Sequence, residues 1–230
     1  PENDTYLRAG VEIINNADLG LDPQNWLAKI GARHPEAKPN TLGLRAMLLR
    51  DQGQLEQAIT LTKSHQGDTN DYLRQAQSLV YRDRAMELAR AENYADARPL
   101  LMAALDNFPN SKNLNLDLVR LELAQERYDQ AQALLDDLAE RHPADPEVVL
   151  LQTSAIQAQQ GPAQAYSYLR ETWSQAPQSP LAARLLSLAR QEDPEAVPQI
   201  LQDWEATAPD SRARLLLTAE EYQRQGNNAA

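Results

Sequence analysis

An all-α array of helical hairpins is the fold this sequence predicts, and three observations predict it. The first is an internal echo. Glu126 to Pro143, "ERYDQAQALLDDLAERHP", repeats Glu92 to Pro109, "ENYADARPLLMAALDNFP", with Glu, Tyr, Ala, two Leu and Pro at the same six places and an offset of 34 residues. Periods of this size belong to stacked supersecondary units, because one hairpin cannot bury its apolar face alone. The second is composition. Hydrophobic residues make up 42% of the 230-residue chain and aromatic residues only 5%, so the core must be mostly Ala and Leu, the best helix formers. The third is punctuation. Pro109, Pro143 and Pro177 are 34 residues apart and Pro209 follows after 32. Each marks a helix end, since proline lacks an N–H and biases the residue before it out of helical conformation.

The repeat carries a second mark. Twelve residues before these prolines stand Ala97, Ala131, Ala165 and Val197; Ala58 holds that place before Asn70, and Pro23 before Pro35, a degenerate first copy. Each unit reads as two helices. Segment 112–125 has no Gly or Pro and is apolar nearly all round, so it should be buried on more than one side. Segment 128–141 places Ala131, Leu134, Leu135 and Leu138 at helical spacing. Asp145 then reads as an N-cap with Pro146 at the first helical position.

Taken in order, the pattern predicts thirteen helices and no strand: 3–17, 23–33, 39–52, 55–65, 70–91, 94–107, 112–125, 128–141, 145–159, 162–175, 179–191, 194–206 and 211–225. Ala58 and Ala97 are 39 residues apart, so helix 70–91 should be longer than its counterparts. "HQGDTND" before it reads as a hinge or subdomain boundary. The expected organisation is one continuous array, with degenerate repeats over 1–68 and regular ones over 69–230.

Composition also excludes functions. A formal net charge of -11 is wrong for a nucleic-acid surface or an anionic membrane. The absence of Cys rules out disulfides, thiolate metal sites and cysteine nucleophiles. No apolar run approaches the roughly 18 residues of a membrane span. No signal peptide is visible, and the chain opens on Pro1 rather than Met, which reads as a trimmed start.

A 34-residue helix–turn–helix with a small residue, Tyr three before it and Pro twelve after it resembles the tetratricopeptide repeat (TPR). The likeness spans nearly the whole chain, strongest over 78–209. The Gly usual near the end of the first helix is Ala85 or Val119 here, and Glu122 stands where an aromatic is expected. The resemblance implies a right-handed solenoid of about six repeats plus one unpaired C-terminal helix. "LQDWEATAPDSRARLLLTAEEYQRQGNNAA" is similar in style to multi-repeat proteins of bacterial exopolysaccharide and PEP-CTERM/exosortase systems, which implies a periplasmic or outer-membrane-associated place, with the cytoplasm as the alternative. The pentatricopeptide family has a nearby period but would be basic.

The resemblance also implies a concave face lined by the first helix of each pair. Mapped by repeat position, that face takes Arg82, Met86 and Arg90, then Leu116, Arg120 and Leu123. Leu150, Ser154 and Gln157 follow, then Leu186, and finally Leu216, Glu220 and Gln223. The family's carboxylate clamp needs Lys and Asn four apart; Gly43/Met47, Arg82/Met86, Leu116/Arg120, Leu150/Ser154, Ala182/Leu186 and Leu216/Glu220 do not supply it. A groove mixing apolar residues with arginines implies an amphipathic or acidic-apolar protein segment as partner. The competing reading of the leucines is packing between repeats.

Candidate chemistry is thin. His34, His65 and His142 lie one or more repeats apart, without the spacing of a helical zinc site. The pairs Asp136–Asp137, Glu192–Asp193 and Glu220–Glu221 diverge by about 100° on a helix and read as solvated faces. Trp26, Trp173, Trp204, Tyr94 and Tyr128 read as packing residues. No phosphate-binding, nucleophile-elbow or dinucleotide motif occurs, so the expectation is a protein–protein interaction scaffold that is not an enzyme and needs no cofactor or metal. The alternative is a spacer holding an anchor and another domain apart. Val197 plus 34 falls one past Ala230, so helix 211–225 is expected to lack its partner. Leu215, Ala219 and Tyr222 would then leave a stripe that frays or pairs two copies; otherwise the chain is a monomer.

Overall fold

The computed structural model describes residues 2–16, 20–63, 65, 70–224 and 226, with side chains for all of these except 2–4, 222 and 224. Thirteen α-helices and no strand occur among the described residues. They are α1 (Glu2–Asn16), α2 (Pro23–Arg33), α3 (Lys38–Asp51), α4 (Leu55–Lys63), α5 (Asp71–Arg90), α6 (Tyr94–Asn107), α7 (Lys112–Ala124), α8 (Tyr128–Arg141), α9 (Pro146–Gln160), α10 (Pro162–Gln175), α11 (Ser179–Glu192), α12 (Val197–Thr207) and α13 (Arg212–Arg224). Ends agree with the sequence pattern to within two residues except at α12. There Pro194–Ala196 forms a separate 3₁₀ turn, as does Pro35–Ala37 before α3. Both turns lie in "PEAxP". Pro39 and Pro198 have no N–H to return to the carbonyl four residues back, so the Lys38 and Val197 N–H groups close the tighter bond to Pro35 and Pro194.

Local signals set the helix starts. Asp22 accepts from the N–H groups of Gln24 and Asn25 at 3.2 and 3.0 Å, and Asp145 from those of Glu147 and Val148 at 3.0 and 3.4 Å. Both are followed by proline at the first helical position. Asn70 caps α5 through the Leu73 N–H at 2.9 Å.

Turns between the paired helices repeat as well. Gly53, Glu92 and Glu126, each five residues before its small residue, have φ of 73, 58 and 57°. In each turn the next N–H reaches back five residues, from Gln54 to Leu49, Asn93 to Leu88 and Arg127 to Glu122, at 2.8, 2.9 and 2.9 Å. This is the left-handed helix stop that glycine adopts without steric cost. Glu92→Gly and Glu126→Gly should therefore each stabilise the chain by about 0.5–1 kcal/mol, the relieved strain outweighing the added unfolded-state entropy. Urea unfolding checks this; a lower midpoint for both variants would contradict it.

The small residues do what their spacing implies. Ala58, Ala97, Ala131 and Ala165 are fully buried and Val197 nearly so. Because Ala131 is fully buried, Ala131→Leu should overpack the repeat and cost about 1–3 kcal/mol, read as a lowered melting temperature.

The chain forms two compact units, residues 1–121 and 122–230. The boundary falls inside α7; residues 65–71, where a hinge was expected, lie within the first unit, and 66–69 are outside the described residues. In the first unit Leu7, Val11, Leu27 and Leu44 form one cluster, and Ala46, Leu49, Leu55, Ala58, Ala76 and Val80 another. Helix α5 is the longest at 20 residues, as the 39-residue spacing requires. Its buried Gln77 donates to the Thr62 carbonyl at 2.8 Å and accepts from Asn107 at 3.4 Å, tying α5 to the ends of α4 and α6. In the second unit one cluster joins α9 to α12 around Leu169, Trp173, Leu185 and Trp204.

Candidate functional site

In the first unit the first helices of the hairpins, α1, α3, α5 and the start of α7, carry two adjoining cavities. One, of about 380 Å³, has Val11, Leu44, Met47 and Leu48 among its apolar lining, with Arg8, Glu12, Asp51 and Tyr72 as polar groups. The other, of about 830 Å³, is lined by Phe108, Pro109 and Leu114 together with Asp71, Ser78, Arg82, Asn110 and Asn113. Gln75 and Leu79 of α5 line both, so the two adjoin along that helix. Tyr72 can enter the smaller one because residue 43 is glycine. A Cβ there would stand 2.7 Å from the Tyr72 ring, so any larger side chain would displace it.

Polar side chains join neighbouring first helices inside each unit. Arg50 of α3 donates to Asp83 of α5 at 2.5 Å, and Arg82 of α5 to Asp117 of α7 at 2.5 Å. In the second unit Arg184 of α11 donates to Gln157 of α9, and Arg190 of α11 to Glu221 of α13 at 3.1 Å. Asp117 is only 2% exposed and also accepts from Arg120 at 2.9 Å, so one buried carboxylate neutralises part of two guanidiniums. Buried, hydrogen-bonded ion pairs of this kind act as registration devices as much as sources of net stability.

These contacts revise the expected binding face. Arg82 does line the groove, but it and Arg120 are engaged by Asp117 rather than offered as a pair of cations. Leu116 and Leu186 were expected on that face and belong instead to the interior, at 0% and 1% exposure. Leu186 sits in the cluster containing Leu169 and Trp173, and Leu150 is half-buried against the same cluster. Ser154 donates to the Leu150 carbonyl of its own helix at 2.9 Å, and Gln157 accepts from Arg184. Met86 is half-buried and Arg90 exposed, and neither lines the groove. Tyr72, Gln75, Leu79 and Asn113 escaped the sequence reading. For Tyr72 and Gln75 the available signal was the extra length of α5, which adds a turn before the regular repeat begins.

Elsewhere the tryptophans are structural. Trp173 and Trp204 are buried, and the Trp204 indole N–H donates to Ser179 Oγ at 2.8 Å; Trp26 is half-buried against the first unit's cluster. Burial pushes the phenols of Tyr81, Tyr166 and Tyr168 up from their usual range, so all three stay protonated at neutral pH. His34 lies 3.4 Å from Glu36 with both side chains mostly exposed. Among the described residues no three His, Cys, Asp or Glu groups gather as metal ligands, and no helix is long and apolar enough to cross a membrane. On α13, Leu215 and Leu216 are 54% and 57% exposed and Ala219 is also exposed, while Leu217 packs onto the core; the Tyr222 side chain lies outside the described residues.

Helix hairpins repeated at a 34-residue period and joined through their first helices define an α-helical repeat protein. Residues 88–155 match the tetratricopeptide repeat family model, and that stretch carries tetratricopeptide repeats. Its fold is similar to that of a tetratricopeptide repeat protein from Parabacteroides merdae, with a TM-score of 0.57 and 15% identity over 99% of this chain and 88% of that one. Pseudomonas aeruginosa PilF is similar at a TM-score of 0.53 and 15% identity, over 95% of this chain and 97% of that one. YrrB, a TPR protein with an unusual peptide-binding site, is similar at 0.52 and 17%, over 84% and 97%. Likeness at these identities is one of fold. No curated protein matches the chain.

Proposed function

We propose that this protein is a non-catalytic interaction scaffold whose first unit receives a segment of a protein partner in the groove over α1, α3, α5 and α7. The observation that carries this reading is the pair of adjoining cavities that share Gln75 and Leu79. An apolar floor supplies affinity, and exposed carboxamides at Gln75 and Asn113 can satisfy the N–H and C=O groups of an extended backbone. The test is recovery of partners from the native host with the wild-type chain and with Leu79→Asp. Loss of the same partners from the variant, with its melting curve preserved, is the expected result; undiminished recovery would remove the groove from the function.

A spacer role has its own support in the second unit. There Leu186 is interior, while Gln157, Arg184, Arg190 and Glu221 are used between helices, which suits a segment that sets distance. A bacterial envelope assembly is the setting we propose from the C-terminal resemblance alone, and fractionation of the native host tests it.

A further inference from the structure

The groove's charge names the chemistry of its occupant. Resting on the groove reading above, we infer that the segment it binds is basic and apolar rather than acidic. Three carboxylates, Glu12, Asp51 and Asp71, line the two cavities against two guanidiniums, Arg8 and Arg82. One of the two guanidiniums is already neutralised by a carboxylate, and the other is stacked on a ring. Arg82 holds buried Asp117 at 2.5 Å, and Arg8 lies over the Tyr72 ring at 5.0 Å. The carboxylates are held far less. Glu12 has no ion-pair partner among the described residues. Among the described residues Asp51 meets only Arg50, at 3.6 Å, whose guanidinium donates to Asp83 at 2.5 Å. Asp71 meets Arg74 at 3.3 Å with 90% of its own side chain exposed.

Glu12 and Asp51 share the smaller cavity with Val11, Leu44, Met47 and Leu48. A Lys or Arg entering there lays its methylenes on those side chains and brings its charge to the carboxylates. An acidic segment would meet three carboxylates against one guanidinium, Arg8, that no ion pair among the described residues neutralises, inside a chain of net charge -11. A second copy of this chain has the same wrong sign. Phe108 and Leu114 in the larger cavity then take an apolar anchor further along the same extended segment.

A random-peptide library panned on the whole chain provides the probe, with enriched sequences resynthesised and their binding measured by fluorescence anisotropy. We expect enriched peptides to pair Lys or Arg with Leu, Ile, Met or Phe. Raised salt should weaken them, and Glu12→Lys with Asp51→Lys should weaken them about tenfold, since two exposed pairs become like-charged. Both residues are exposed, so these changes leave the core intact. Leu79→Asp, with Leu79→Ala as the milder variant, should abolish binding. Peptides lost on Leu79→Asp but acidic, or indifferent to the Glu12/Asp51 reversal, would leave the groove standing and overturn the charge inference. Peptides indifferent to Leu79→Asp, or no enrichment at all, would overturn the groove and this inference with it.

Discussion

Changing Arg82 and Arg120 together to Ala is expected to destabilise the chain by about 3–5 kcal/mol, the cost of stranding a buried charge. Asp117 sits at 2% exposure with one oxygen 2.5 Å from the Arg82 Nε and the other 2.9 Å from the Arg120 Nη1. Either arginine alone leaves its carboxylate one strong partner, so each single change should cost well under the double. Neither Ala supplies a donor, and water reaches Asp117 poorly. A third change, Asp117→Leu, should recover most of the loss, because a well-packed apolar group is no worse in such a place than a satisfied ion pair. Urea unfolding of the four variants measures it. If the double variant loses less than about 1 kcal/mol, the value for exposed pairs, then Asp117 is solvated in solution and the link between α5 and α7 is incidental.

Trp204→Ala is expected to cost about 3–5 kcal/mol, the range for removing a buried large aromatic side chain. Trp204 is 1% exposed, lies in the cluster that joins α9 to α12, and donates its indole N–H to Ser179 on α11. The substitution opens a cavity between α11 and α12 and leaves the Ser179 hydroxyl without that donor. Trp204→Phe keeps most of the packing and loses the hydrogen bond, so it should cost roughly 1–2 kcal/mol. In a repeat array each unit leans on its neighbours, so α11 to α13 should melt first in Trp204→Ala. Amide exchange resolved along the chain shows this. Uniform loss of protection over all thirteen helices would mean that the two units unfold together.

Helix positions, capping and pairing were legible in the sequence because the forces that set them are local. Pro109, Pro143, Pro177 and Pro209 stop helices through a missing N–H, Asp145 caps through its own next turn, and the small side chains of Ala97 and Ala131 are fully buried at equivalent places. Each of these acts within a single repeat, so a 34-residue register reports it. The long α5 was legible for the same reason, as a broken spacing. What faces outward was not. Leu116 and Arg120 lie on one helix at the same kind of position, yet the first is interior and the second half-exposed. Asp117, in a segment that reads as core, became a buried acceptor only once Arg82 came within reach from 35 residues away. The groove formed where α1, α3, α5 and α7 leave space between them. The sequence by itself determined the repeat and its helices. Tertiary packing decided which residues meet solvent, because exposure depends on how each hairpin lies against the next, a sum of contacts that no single repeat contains.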